Sequence, residues 1–207
     1  DHMTRHGGLD VVVLNAGIAE HGDLFDSQNS GWQQTLDVDL TAVLSGVRSA
    51  VISMQQQPGR GGHIICVASA GGIYPMPVAP VYSTAKAGVV QLVRSVGASL
   101  ARKGIHISAV CPEFVDTPLV RSVMTQDPVA AKRLLGSLDI ALLPPTAVSS
   151  LCIQMLGLQG GTVALLRQDG SVHFPYKKAT RGAAAKVPPQ QPSQVEQLAA
   201  WVGHLPV

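Results

Sequence analysis

Apolar residues along this chain follow two patterns that alternate. Leu9 to Asn15 reads LDVVVLN, a short and nearly continuous β-branched run of the kind buried on both faces of a parallel sheet. From about Ser30 to Gln56 the apolar positions Trp32, Leu36, Leu40, Val43, Val47, Val51 and Met54 recur at helical spacing, and the Pro58-Gly59 and Gly61-Gly62 pairs end the pattern. The alternation then repeats. His63 to Ala68 predicts a second strand, Ser83 to Lys103 a second long helix, and Ile105 to Cys111 a third strand. Two short helices are expected between Pro112 and Leu143. A further helix runs from Pro144-Pro145 to about Leu156, and a last strand covers Thr162 to Leu166. This order implies an α/β fold, a parallel, doubly wound sheet with right-handed crossovers, whose ligand lies beyond the carboxyl ends of the strands.

The pattern stops before the chain does. Lys177 to Gln194 carries four basic residues, an alanine triplet and three prolines, which reads as an exposed linker. Ser193-Gln194-Val195-Glu196 then has the spacing of a capping box ahead of Leu198 to Val202, so a short terminal helix is expected. The chain thus divides into a sheet domain over 1–176 and a tail over 177–207. With 46% hydrophobic and 14% charged residues in 207, wholesale disorder is excluded. The net charge of +2 is dispersed, so the sequence has no electrostatic footprint for nucleic acid. No apolar run reaches the roughly 20 residues of a membrane span, and the first residues lack the apolar core of a signal peptide. Cys66, Cys111 and Cys152 lie among aliphatic residues and are odd in number, as suits buried free thiols in a reducing, cytoplasmic setting. The seven histidines show no metal-ligand spacing, and Ser69 has no G-x-S-x-G elbow around it, which argues against zinc and against a serine hydrolase.

Unusual residues follow each strand end. Asn15-Ala16-Gly17 comes after the first strand, where small residues let the backbone approach a ligand. Ser69 follows the second strand and presents a hydroxyl. Tyr82-Ser83-Thr84-Ala85-Lys86 opens the second long helix and puts a phenol and an ammonium four residues apart, on one helical face. A free tyrosine has a pKa of about 10, and bringing it to neutrality takes about 4 kcal/mol of differential stabilisation, which a lysine and a cationic cofactor together can supply. An isolated Tyr-x-x-x-Lys is explained as well by a packed tyrosine and a solvated lysine. Ser69 thirteen residues upstream, with Asn15-Ala16-Gly17 at the preceding strand end, favours the chemical reading.

Taken together these segments resemble the short-chain dehydrogenases/reductases. The matching elements are Asn15-Ala16-Gly17, Ser69, Tyr82-Ser83-Thr84-Ala85-Lys86 and Cys111-Pro112-Glu113-Phe114-Val115-Asp116-Thr117, in order, and the likeness covers about Gly7 to Phe174. Within the family, Gly104 to Thr117, the Pro144-Pro145 region and Gly170-Ser171-Val172-His173-Phe174 are most similar to the branch of NAD-dependent 15-hydroxyprostaglandin dehydrogenases. The resemblance implies a Rossmann-like sheet and an oxidoreductase that passes hydride between a nicotinamide cofactor and a secondary alcohol/ketone pair. It assigns Tyr82 as general acid/base, Lys86 as the cation that lowers its pKa and binds the nicotinamide ribose, and Ser69 as the hydroxyl that holds the substrate oxygen. Asn15, Ala16 and Gly17 line the cofactor, with Pro112, Val115 and Thr117 at its nicotinamide end. The branch implies NAD, with NADP left open, and a lipid-like hydroxy compound as the small-molecule substrate. The family also implies a homodimer or homotetramer built on the two long helices.

Four departures stand out. Asp39 occupies the place of the family's usual asparagine, which belongs to a proton relay toward the lysine; aspartate keeps an acceptor oxygen, joins the catalytic set and adds charge. Glu113 replaces a glycine after Pro112 and is expected to crowd the nicotinamide side. Ala79 stands where the branch carries a polar amide toward the substrate. The glycine-rich first turn that seats the pyrophosphate has no counterpart, because only fourteen residues precede Asn15. The expected fold is therefore N-terminally truncated, without its first βαβ units, and exposes a hydrophobic sheet edge. An alternative function follows: a catalytically silent homologue that serves as an oligomerisation or interaction module.

Overall fold

The computed structural model describes residues 2–20, 22–57, 59–126 and 142–176. The tail over 177–207, with its expected linker and terminal helix, lies outside the described residues, as does the second short helix expected before Leu143. The elements are α1 (His2–His6), β1 (Val11–Leu14), α2 (Gly31–Leu36), a π-helical turn (Asp37–Thr41), α3 (Ala42–Gln55), β2 (Gly62–Val67), a 3-10 turn (Ala70–Gly72), α4 (Pro80–Ala101), β3 (Ile105–Pro112), α5 (Pro118–Gln126), α6 (Pro145–Met155), β4 (Thr162–Leu166) and β5 (Val172–His173).

The five strands form one sheet in the order β1-β2-β3-β4-β5. The first four are parallel, with Leu14 opposite Cys66, Cys66 opposite Ala109, and Cys111 opposite Leu165. β5 folds back antiparallel on β4, a hairpin that the alternating pattern did not predict. β2, β3 and β4 are buried along most of their length, which is why each reads as a continuous apolar run. β1 instead alternates, with Val11 41% and Val13 50% exposed along the sheet edge.

Alternate residues of the inner strands feed two cores. Ile64, Cys66, Ile107, Ala109 and Leu165 pack under α3 and α4, while Ile65, Val110, Ala164 and Leu166 pack against Leu151 and Met155 of α6. Helices therefore cover both faces, as a doubly wound sheet requires. One expectation is corrected. The strands are laid down in one direction, yet α3 and α4 lie on one face and α6 on the other, so the crossovers are not all right-handed. The β3–β4 connection passes through α5 and a Val115–Leu143 bridge before α6, so the constraint on a helix fed directly from a strand does not govern it.

The helix expected from Ser30 to Gln56 is a composite of α2, the π-turn and α3. A wider turn shifts the face by a fraction of a turn, and the apolar spacing hides it. α4 begins at Pro80, three residues ahead of expectation, because proline suits the first helical turn, where its missing N–H costs nothing.

Candidate active site

The carboxyl ends of β1, β2 and β3 lie side by side, and the residues that follow them converge there. Ser69 is the cap of the 3-10 turn, its Oγ accepting the Gly71 N–H at 3.1 Å. That turn lies tight against α4: the Ser83 hydroxyl donates to the Gly71 carbonyl, and a Cβ added at Gly72 would stand 2.6 Å from the Lys86 carbonyl oxygen. The close approach brings Ser69, at the head of that turn, beside the first turns of α4, where Tyr82 lies. Tyr82 is half-buried, and the Lys86 Nζ lies 5.4 Å from the centroid of its ring.

Lys86 points inward. It is 3% exposed, and its Nζ meets Asp39 Oδ1 at 3.3 Å. Asp39 is fully buried in the π-turn, where the same Oδ1 also accepts the Ile18 N–H at 3.1 Å. Its Oδ2 is buried with no hydrogen-bond partner. Gly17 roofs the pair, for a Cβ there would stand 2.7 Å from Asp39 Oδ1 and 3.1 Å from Lys86 Nζ. The glycine of the Asn15-Ala16-Gly17 segment is thus required by the ion pair beneath it.

Burial pushes the Asp39 carboxyl up, and the Lys86 charge and the Ile18 N–H pull it back. The Tyr82 phenol is pushed up to about 12, chiefly by burial, with the Ser69 hydrogen bond acting against the rise and the Asp39 charge adding to it. Burial also pushes the thiols of Cys66 and Cys111 up to about 12, leaving both neutral near the phenol and the ammonium.

The other expected site residues are distributed more loosely. Asn15 and Ala16 are exposed at the mouth of the site. Pro112 is buried at the end of β3, Val115 bridges to Leu143, and Thr117 uses its hydroxyl to accept the Val120 N–H and cap α5. These last three share the sheet end by register, and their described contacts run along the β3–α5 connection. Glu113 does not crowd the site as expected: its Oε2 accepts the Gln168 N–H at 2.6 Å, and Gln168 in turn clasps both the N–H and the carbonyl of Phe114. Ala79 precedes α4 as its cap position and makes no side-chain cap bond.

One contributor escaped the sequence pattern. Glu20 Oε2 accepts the Tyr82 backbone N–H at 2.9 Å, across 62 residues of chain. It satisfies a first-turn donor that Ala79 leaves open, and places negative charge at the positive end of the helix. The missing cap at Ala79 was the available signal, but it does not say where the acceptor comes from.

A family profile described as short chain dehydrogenase matches residues 1–128. The chain belongs to the short-chain dehydrogenase family. Among its relatives, 15-hydroxyprostaglandin dehydrogenase [NAD(+)] of Mus musculus is 35% identical over 130 residues, covering 61% of this chain and 44% of that protein. Cis-4-hydroxycyclohexanecarboxylate dehydrogenase of Sinomonas cyclohexanicum is 34% identical over 170 residues, covering 77% of this chain and 68% of that protein. The crystal structure of levodione reductase superposes with a TM-score of 0.67 at 24% identity, over 79% of this chain and 67% of the other, and shares the fold. The chain spans about half the length of the curated hydroxyprostaglandin dehydrogenases it matches. Short-chain dehydrogenases are oxidoreductases with a Rossmann-type sheet, and this one carries that sheet with helices on both faces. Among the described residues, no helix is long and apolar enough to cross a membrane.

Proposed function

We propose that this chain carries the catalytic half of a nicotinamide-dependent dehydrogenase acting on a secondary alcohol/ketone pair. The observation that carries the reading is the convergence of Ser69 and Tyr82 at the carboxyl end of the sheet, with Lys86 one helical turn behind, its Nζ 5.4 Å from the centroid of the Tyr82 ring. Ser69 holds the substrate oxygen, and Tyr82 gives a proton to that oxygen or takes one from it. Lys86 orients the phenol side of the site, while Asp39 and the Ile18 N–H fix the ammonium from below. The exposed backbone of Asn15 and Ala16, the half-buried hydroxyls and the ammonium form a donor set that fits the nicotinamide-ribose half of a dinucleotide. The bound cofactor supplies or accepts the hydride, chemistry that belongs to the nicotinamide ring. NAD is the proposed form, on the likeness to relatives named for NAD(+).

Three free cysteines fit a reducing, cytoplasmic location. Leu44 and Ile52, exposed on α3, support self-association through the long helices into a dimer or tetramer. A hydrophobic hydroxy compound is the proposed substrate class, on the same likeness.

The test has two arms. Titration with NADH, followed by nicotinamide fluorescence, is expected to show saturable binding. Tyr82→Phe is expected to abolish turnover of secondary alcohols while leaving NADH affinity within about twofold, since the phenol acts in the transition state rather than in cofactor binding. Turnover retained by Tyr82→Phe removes Tyr82 from its role. Absence of both binding and turnover in the unaltered chain removes the dehydrogenase reading and leaves the interaction module.

A further inference from the structure

The connections leave the sheet in opposite directions after β2 and β3. The one from β2 leads to α4 on one face, and the one from β3 leads through α5 to α6 on the other. Neighbouring parallel strands whose connections part in this way open a crevice at their carboxyl ends, where an open α/β sheet takes its ligand. One wall of the crevice is the 3-10 turn after β2, which is pressed onto α4. The other is the stretch from Glu113 to Thr117 that follows β3.

Backbone pairing fixes only the start of that second wall. The register of β3 with β4 ends at Pro112 opposite Leu166, with one further bond from the Glu113 N–H to the Leu166 carbonyl at 2.9 Å. Side chains then carry the ladder on. Glu113 Oε2 accepts the Gln168 N–H at 2.6 Å, and the Gln168 side-chain amide accepts the Phe114 N–H and donates to the Phe114 carbonyl, both at 3.1 Å. Gln168 stands in the tight turn between β4 and β5, where the Arg167 N–H meets the Ser171 carbonyl at 2.9 Å and Asp169 Oδ1 accepts the Ser171 N–H at 2.9 Å. The anchor is therefore itself held. On the next residues, the Leu143 N–H reaches the Phe114 carbonyl at 2.9 Å and the Asp116 N–H reaches the Leu143 carbonyl at 2.8 Å.

We propose that Glu113 and Gln168 are positioning residues, the two parts of a latch that sets the Glu113–Thr117 wall of the crevice and thereby fixes how tightly the nicotinamide-ribose half of the cofactor is bound. The proposal rests on the reading of this crevice as a nicotinamide site and adds the residues that hold its far wall. The two parts act in series. Glu113 fixes the backbone of Gln168, and the Gln168 side chain satisfies both polar groups of the Phe114 backbone, which would otherwise turn to water. Loss of either part frees the same stretch of wall, and ordering it again on binding costs affinity. Fifty-five residues separate Glu113 from Gln168, so the latch exists only in the fold.

Titration of the full chain with NADH, followed by nicotinamide fluorescence, tests this. Glu113→Ala and Gln168→Leu are each expected to weaken binding by about tenfold, and the double variant to lose no more than the weaker of the two, because both act through one stretch of backbone. Glu113→Gln keeps an acceptor oxygen for the Gln168 N–H and is expected to bind within about twofold of the unaltered chain, a rescue that a general loss of stability would not follow. Single variants that bind as the unaltered chain does, or losses that add in the double variant, overturn the latch and leave the site reading standing. An unaltered chain that binds no NADH removes the site reading, and the proposal with it. Should circular dichroism show the single variants unfolded, amide hydrogen exchange on the unaltered chain decides. Exchange at Phe114 and Gln168 that slows when NADH binds, beyond any change at His63 on the opposite end of the sheet, upholds the latch, and no such slowing overturns it.

Discussion

Glu20 shows how much a single side chain contributes when the local sequence leaves a gap. α4 starts with Ala79 at its cap and Pro80 in its first turn, neither of which offers a side-chain acceptor, and the Glu20 carboxylate fills that role for Tyr82. Glu20→Ala is expected to cost about 1 kcal/mol of stability, the ordinary worth of a helix cap, whereas Glu20→Gln keeps an acceptor oxygen and loses less. Denaturant unfolding of the two variants distinguishes them, and equal losses would show that the hydrogen bond to Tyr82 does not matter. The same scale holds the difference between reading a residue and knowing its role. Tyr82 and Lys86 are legible as a chemical pair from type and spacing, and Asp39 joins them only through the resemblance to the family. That Lys86 turns its ammonium inward onto Asp39 is decided by the π-turn and the roof at Gly17.

At the level of elements, the site depends on the 3-10 turn Ala70–Gly72 being pressed onto the first turns of α4. A Cβ at Gly72 would lie 2.6 Å from the Lys86 carbonyl oxygen and 2.7 Å from its carbon, backbone atoms that cannot rotate away. A Cβ at Gly71 would meet the Met76 sulfur at 3.0 Å, and that side chain can move. Gly72→Ala is therefore expected to destabilise by about 1–3 kcal/mol and to displace Ser69 from Tyr82, and Gly71→Ala to cost clearly less. Paired unfolding curves check the difference, and equal costs would contradict the packing described. The adjacent glycines look alike in the sequence. Only the approach of α4 separates the one that is needed for packing from the one that is not.

For the whole molecule, the opposite end of the sheet carries the main acid-sensitive group. His63 on β2 is 6% exposed, its Nε2 is 3.0 Å from the Ser108 hydroxyl, and the His106 ring stands 5.8 Å away, centroid to centroid. Burial is the chief cause that lowers its pKa to about 4, and His106 adds to the effect. The unfolded chain takes up this proton near the ordinary histidine pKa while the folded chain refuses it. Stability is therefore complete above about pH 6.5, falls as pH drops toward 4, and levels off below, a loss of about 3 kcal/mol. Unfolding free energies measured across that range should show the slope, and His63→Gln should remove that part of it; an unchanged slope in His63→Gln would assign it to other groups. His63 reads in the sequence only as the first residue of a strand. Its effect depends on register, which pairs it with His106, and on the α6 face that buries it. What the sequence by itself determined is the order of strands and helices and the kinds of side chain at each strand end, because periodicity and chemical type are local properties of the chain. The tertiary structure decided which face each crossover took, where Glu113 turned, which glycine was indispensable and which neighbour holds the Lys86 charge. Those outcomes are set by contacts between segments tens of residues apart, and by burial, which multiplies the strength of every charge it encloses.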